Sequence, residues 1–116
     1  MSLEEADRAS AAAAVAPRVS LADIEASISS RFDTTADKAF VAALSYGDWD
    51  RDLASLRLLS ICILVMRNGF TVIGKSAPAS AANFNAELGR KLAYEDAIRQ
   101  LWPLMGFALR DKLASR

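Results

Sequence analysis

The sequence predicts an α+β fold: short N-terminal helices, one β-hairpin, and a long C-terminal helix kinked or broken at Pro103. Three features predict it. Ser20-Leu21-Ala22-Asp23 opens an amphipathic stretch with capping-box spacing. Asn68-Gly69 lies between two apolar, β-rich runs. After residue 82 an asparagine-led segment carries apolar residues at three- and four-residue steps, with a proline near its middle.

At 116 residues the chain is one domain by size. Residues 1–18 are Ala-rich, lack aromatic residues and end near Pro17, so they are expected to form a flexible, mobile or loosely helical N-terminal arm; residues 19–116 form the single domain. Ser20 caps the first predicted helix, about 21–31, whose apolar face is Leu21, Ile24, Ile28 and Phe32. Thr34 or Thr35 caps a second, to about Leu44, with Phe40, Val41 and Leu44 apolar. Ser45-Tyr46-Gly47-Asp48 is a predicted turn.

Residues 55–66 suit a buried helix or a buried strand by periodicity alone. Ile and Val near the end of the run, and the Asn68-Gly69-Phe70-Thr71-Val72-Ile73 sequence after it, decide for a strand and a hairpin. A two-residue type I′ turn pairs Arg67 with Phe70, Met66 with Thr71, Val65 with Val72, Leu64 with Ile73 and Ile63 with Gly74. One face then holds Ile61, Ile63, Val65, Phe70 and Val72, and the other Cys62, Leu64, Met66, Thr71, Ile73 and Lys75. Both faces are largely apolar, and a two-stranded ribbon cannot bury both alone. Either helices cover both faces or one meets another chain, so a homo-oligomer is expected.

Residues 77–82 form a loop, and Asn83 or Asn85 caps the long helix. Its apolar stripe is Phe84, Leu88, Leu92, Ile98, Leu101 and Trp102, with Glu87–Lys91 and Glu95–Arg99 as favourable i,i+4 pairs. Gly89, Ala93 and Ala97 form a ridge of small residues, suited either to close packing on the hairpin or to a subunit contact. Pro103 cannot continue the hydrogen-bond ladder; Leu104, Phe107, Ala108 and Leu113 give the final apolar face.

Composition excludes several chemistries. There is no histidine, so Ser-His-Asp and Cys-His catalysis are closed to the single chain. One cysteine, Cys62, permits neither an intrachain disulfide nor a cysteine-based zinc site. No nucleotide-binding glycine loop is present, and the carboxylates follow helix-surface spacing. No enzyme activity, cofactor or metal site is expected; Asp48 and Asp50 beside the turn are read as solvated, and Cys62 as a buried, inert thiol. The 14 basic residues balance 14 acidic ones, which weighs against general nucleic-acid binding, although Arg57, Arg67 and Lys75 form a candidate local patch. Acidic residues precede the Ala-rich start, and Leu58–Met66 is too short to span a bilayer, so the expected location is the cytoplasm.

Six residues are the candidate ligand-binding set: Lys75, Ser76, Asn83, Arg90, Trp102 and Arg110. The first four gather where the hairpin ends and the long helix begins, where helix amide donors favour a phosphate or carboxylate. Trp102 and Arg110, eight residues apart, are candidates for a cation–π contact, with Trp102 otherwise a core anchor.

The stretches Asn68-Gly69-Phe70-Thr71-Val72 with Gly74, Ser76 and Ala77, then Asn83-Phe84 with Glu87 and Gly89-Arg90-Lys91, then Trp102-Pro103-Leu104 with Gly106, Leu109 and Arg110, resemble the phage N4 Gp49/Sf6 Gp66 family of small accessory proteins. Arg18–Glu25 also fits, and the likeness covers about residues 18–115. Lys75 stands where the family usually has Glu, reversing the local charge, and Asn85 where it usually has Asp. The resemblance implies a phage or prophage origin and a host-cytoplasm setting, and no particular activity. The leading expectation is a non-enzymatic accessory protein that binds a host protein or a small anionic host signal, with counter-defence as one such role. A virion structural or assembly protein and a nucleic-acid-binding accessory protein are the alternatives.

Overall fold

The computed structural model describes residues 1–40 and 49–115. In chain order these form α1 (Leu3–Ala13), α2 (Leu21–Ala26), β1 (Ile28–Thr35), α3 (Ala36–Phe40), α4 (Trp49–Leu56), β2 (Ser60–Met66), β3 (Thr71–Ser76), a 3₁₀ turn (Ala81–Asn83) and α5 (Ala86–Ala114). The three strands make one antiparallel sheet in the order β1-β2-β3. The fold is α+β, as predicted.

α2 starts at the predicted capping box: Ser20 Oγ accepts from the Asp23 amide at 3.0 Å and Asp23 Oδ2 from the Ser20 amide at 2.9 Å. It stops at Ala26, and the residues expected to extend it form β1 instead. Four-residue steps are also even steps, so Ile24, Ile28 and Phe32 satisfied a helical count without excluding alternation. The β-branched Thr34 and Thr35 and the waiting partner β2 decide for a strand. A bulge between Ile28 and Ser30 turns Ile28 toward the core, and Phe32 lies on the opposite face, 58% exposed. The expected continuation of the second helix to Leu44, the turn Ser45–Asp48 and the residue Asp48 fall outside the described residues.

The hairpin is present, but its loop has three residues rather than two. Met66 N donates to Phe70 O at 2.8 Å and Gly69 N to Met66 O at 2.9 Å, leaving Arg67-Asn68-Gly69 as the loop. Gly69 has φ +88°, and no non-glycine among the described residues has positive φ. A type I′ turn needs positive φ at both central residues, so the loop is a type I turn closed by a glycine bulge. Asn68 Oδ1 accepts from the Phe70 amide at 2.9 Å and steadies it. The register is therefore one residue from the predicted one: Val65 pairs with Thr71, Leu64 with Val72, Ile63 with Ile73 and Cys62 with Gly74.

That shift redistributes the faces. Ser60, Cys62, Leu64 and Met66 share a face with Val72 and Gly74, and these are buried. Ile63, Ile73 and Phe32 form a cross-strand row on the other face, each at least 36% exposed.

α5 lies on the buried face. A methyl group added at Gly74 would lie 2.6 Å from the Ala97 backbone nitrogen and nearer still to the Ala93 carbonyl oxygen. One added at Gly89 would collide with Ser60 Oγ. The ridge Gly89-Ala93-Ala97 thus packs on the hairpin. Side chains of α5 also cap the outer edge of β3: Asp96 Oδ2 accepts from Lys75 N at 2.9 Å, and Gln100 Nε2 donates to Ile73 O at 2.8 Å. Pro103 sits inside α5, which runs on to Ala114.

The remaining core is closed by the N-terminal elements. Leu3, on α1, is 4% exposed and joins Ile24, Ile98 and Leu101 in the cluster beneath the sheet. Asp7 ties α1 down by accepting from Arg18 Nη1 and from Leu21 N, both at 2.9 Å. Trp102, half-buried, donates from Nε1 to Val19 O at 3.0 Å, an anchoring role. The chain is extended: its radius of gyration is 17.5 Å and its accessible surface 7868 Å². A compact chain of this length has a radius near about 13 Å and a surface of about 6,200 Å².

Candidate functional site

The end of β1, the start of α3, the end of α4 and the head of α5 enclose a cleft of about 480 Å³. β1 contributes Asp33, Thr34 and Thr35; α3 contributes Asp37 and Lys38; Arg57 follows α4. Phe84, Ala86 and Arg90 close the cleft from the α5 side. Asn85 Oδ1 caps that helix by accepting from the Leu88 amide at 3.0 Å.

Charged side chains of both signs line the cleft. Asp33 is engaged with Arg31 Nε at 2.9 Å. Asp37 accepts from the Thr35 hydroxyl and lies 3.8 Å from Arg57 Nε. The Thr35 hydroxyl first, and more weakly the Lys38 amide and the Arg57 charge, hold the Asp37 carboxyl below its ordinary range. Lys38 and Arg90 pair with no carboxylate among the described residues. Lys38, Arg57 and Arg90 thus line the cleft together with the carboxylates Asp33 and Asp37, beside an aromatic ring and the positive end of the α5 dipole.

A smaller cavity of about 100 Å³ adjoins the cleft across Ser60 and Phe84, which line both. Ser76 and Asn83 line this second space. Three of the six expected residues, Ser76, Asn83 and Arg90, therefore gather around the head of α5. The other three do not join them. Lys75 pairs with Ile61 on the outer face of the sheet. Trp102 is about 18 Å and Arg110 about 30 Å from Arg90 along the helix. The expected cation–π contact between Trp102 and Arg110 is not made; among the described residues the pair is Arg31 over Tyr94, 4.1 Å from the ring centroid.

Lys38, Arg57, Thr34, Thr35 and Phe84 were not in the expected set. The missed strand β1 concealed them, because only its pairing carries Thr35 opposite Ser60 and brings Lys38 to α5. The proposed basic patch does not form as one surface: Arg57 and Arg67 lie beyond opposite ends of the seven-residue β2, and Arg67 Nε is spent on Ala26 O at 2.7 Å.

Elsewhere the reactive groups are restrained. Cys62 is fully buried, and burial first, then the nearby Asp33 charge, pushes its thiol up to about 11. Burial, then Glu25, pushes the Tyr94 hydroxyl up to about 12; that hydroxyl donates to Glu25 Oε2 at 3.2 Å. Among the described residues no group of three or more His, Cys, Asp or Glu side chains could hold a metal ion. No described helix is long and apolar enough to cross a membrane.

These features define a small α+β protein: a three-stranded antiparallel sheet on one long helix, with a cleft lined by charged side chains at the head of that helix. The chain belongs to the phage protein (N4 Gp49/phage Sf6 gene 66) family, whose model matches residues 19–113. No curated protein and no solved structure matches it.

Proposed function

We propose that this phage-family chain is a non-enzymatic accessory protein that binds a small anionic host signal molecule in the cleft at the head of α5, in a counter-defence role. The observation that carries this reading is the pair of cations outside any ion pair among the described residues, Lys38 and Arg90, in a cavity of about 480 Å³ that also offers Arg57, two threonines and the Phe84 ring. Cations suit phosphate or carboxylate groups, and an aromatic ring suits a planar heterocycle. The extended shape supports a homo-oligomer, and the phage family supports a setting in the host cytoplasm.

Calorimetry and thermal shift against a panel of nucleotide second messengers test the proposal. At least one member binds with micromolar or tighter affinity and raises Tm, and Arg90→Ala weakens it by roughly tenfold or more, the loss of one charge-assisted contact. No heat and no thermal shift across the panel would remove the small-ligand reading and leave a host protein as the partner, to be sought by pull-down from host lysate.

A further inference from the structure

We infer that two copies of this chain join through their β1 edges, antiparallel about a two-fold axis at Phe32, to make one continuous six-stranded sheet. This rests on the homo-oligomer reading above and assigns its surface.

The sheet has two edges, and the fold treats them differently. At β3 the outward Ile73 carbonyl and Lys75 amide are occupied by Gln100 and Asp96 of α5. At β1 the phase of the ladder is set by Ala36 N donating to Leu59 O at 2.9 Å, so Thr34, Phe32 and Ser30 bond to β2. Arg31 and Asp33 sit at the alternate positions, with amides and carbonyls turned outward. Among the described residues no loop or side chain takes those four groups up. Arg31, Phe32 and Asp33 are all exposed, so another strand has access. An open edge of this kind is a template for pairing.

The residues along the edge select a second copy as the occupant. With the axis at Phe32, Arg31 of each copy faces Asp33 of the other, and both belong to the outward-bonding set, so two hydrogen-bonded pairs carry opposite charges across the junction. An axis at Arg31 or at Asp33 keeps the hydrogen-bond phase but sets like charges directly opposite, which is unfavourable. Phe32, 58% exposed, meets its own copy at the axis. The row Ile73-Ile63-Phe32 then continues unbroken into the second copy. The chain's net charge of zero imposes no long-range repulsion between copies. The protomer's surface exceeds that of a compact chain by about 1,700 Å², against about 800 Å² per partner in a standard interface.

The test is a charge swap read by sedimentation equilibrium, with circular dichroism to confirm folding. The wild-type chain sediments as a dimer, with the Arg31 and Asp33 amides protected from hydrogen exchange. Asp33→Arg weakens association roughly tenfold or more while remaining folded. The double variant Arg31→Asp/Asp33→Arg restores the dimer. A folded double variant that stays monomeric, or an Asp33→Arg protein as dimeric as wild type, overturns the β1 interface. If Phe107→Glu, on the exposed tail of α5, dissociates the assembly and Asp33→Arg does not, the oligomer stands and this surface falls. A monomeric wild-type protein overturns both.

Discussion

Gly74 of β3 lies so close beneath Ala93 of α5 that no side chain fits between the strand and the helix backbone. The obstructing atoms are a carbonyl oxygen and an amide nitrogen, which cannot swing aside as a side-chain tip can. Gly74→Ala is therefore expected to lower stability by about 1–3 kcal/mol, the usual cost of overpacking, measured by urea denaturation. Gly69→Ala tests a different cause: nothing lies within 4 Å of the added methyl, but φ is +88°. Its expected cost is about 1–2 kcal/mol from backbone conformation alone. Gly69→Asn is milder, because asparagine tolerates that region better than alanine.

Trp102 fastens the N-terminal segment to α5 through its bond to Val19 O. Trp102→Phe keeps an aromatic ring and removes the donor. The expected loss is about 1 kcal/mol. Hydrogen exchange and tryptic cleavage at Arg18 both accelerate, while β2 amides change little.

Acid weakens the same region. The Leu21 amide first, then the Arg18 guanidinium, hold Asp7 below its ordinary value of 3.8. The Ser20 amide and hydroxyl do the same for Asp23. A depressed folded-state pKa contributes stability that is complete above the unfolded value and is lost as pH falls through the folded one. Stability is thus expected to drop below 3.8, and Asp7→Asn to flatten that drop, followed by thermal melts between about pH 5 and 1.

Cys62 is expected to resist thiol reagents in the folded protein. Its side chain is 0% exposed, and burial keeps it protonated at neutral pH. Ellman's reagent reacts with about one thiol per chain in denaturant and with almost none without it; rapid native labelling would contradict the packing described.

The elements that sequence reading located best are those with local chemical signals. Ser20-Asp23 announced α2, Asn85 was one of two predicted caps for α5, and Asn68-Gly69 marked the hairpin. What remained hidden depended on partners distant in the chain. β1 has no turn signal at its start and shares its apolar spacing with a helix, so only β2 reveals it. The hairpin register turned on whether Asn68 took positive φ, a choice of backbone conformation that residue identity leaves open. The cleft was half legible for the same reason. Ser76, Asn83 and Arg90 flank one junction in sequence, whereas Lys38 and Arg57 reach it only through β1 and the end of α4. The ridge Gly89-Ala93-Ala97 was visible, and Gly74 supplied its destination.

The three-residue hairpin loop acts as a parity setting for the chain that follows. A deletion that slides β3 by a single step exchanges Val72 and Gly74 for Ile73 and Lys75 beneath α5. Inside and outside would be inverted along the whole strand, with a lysine driven into the space at Gly74 that admits no side chain. An equal deletion in residues 77–80 would merely shorten a tether. Length variation among related chains should therefore be scarce at the hairpin tip and common in the four residues that follow β3, a pattern that homologous sequences can be scored against without any measurement on this protein.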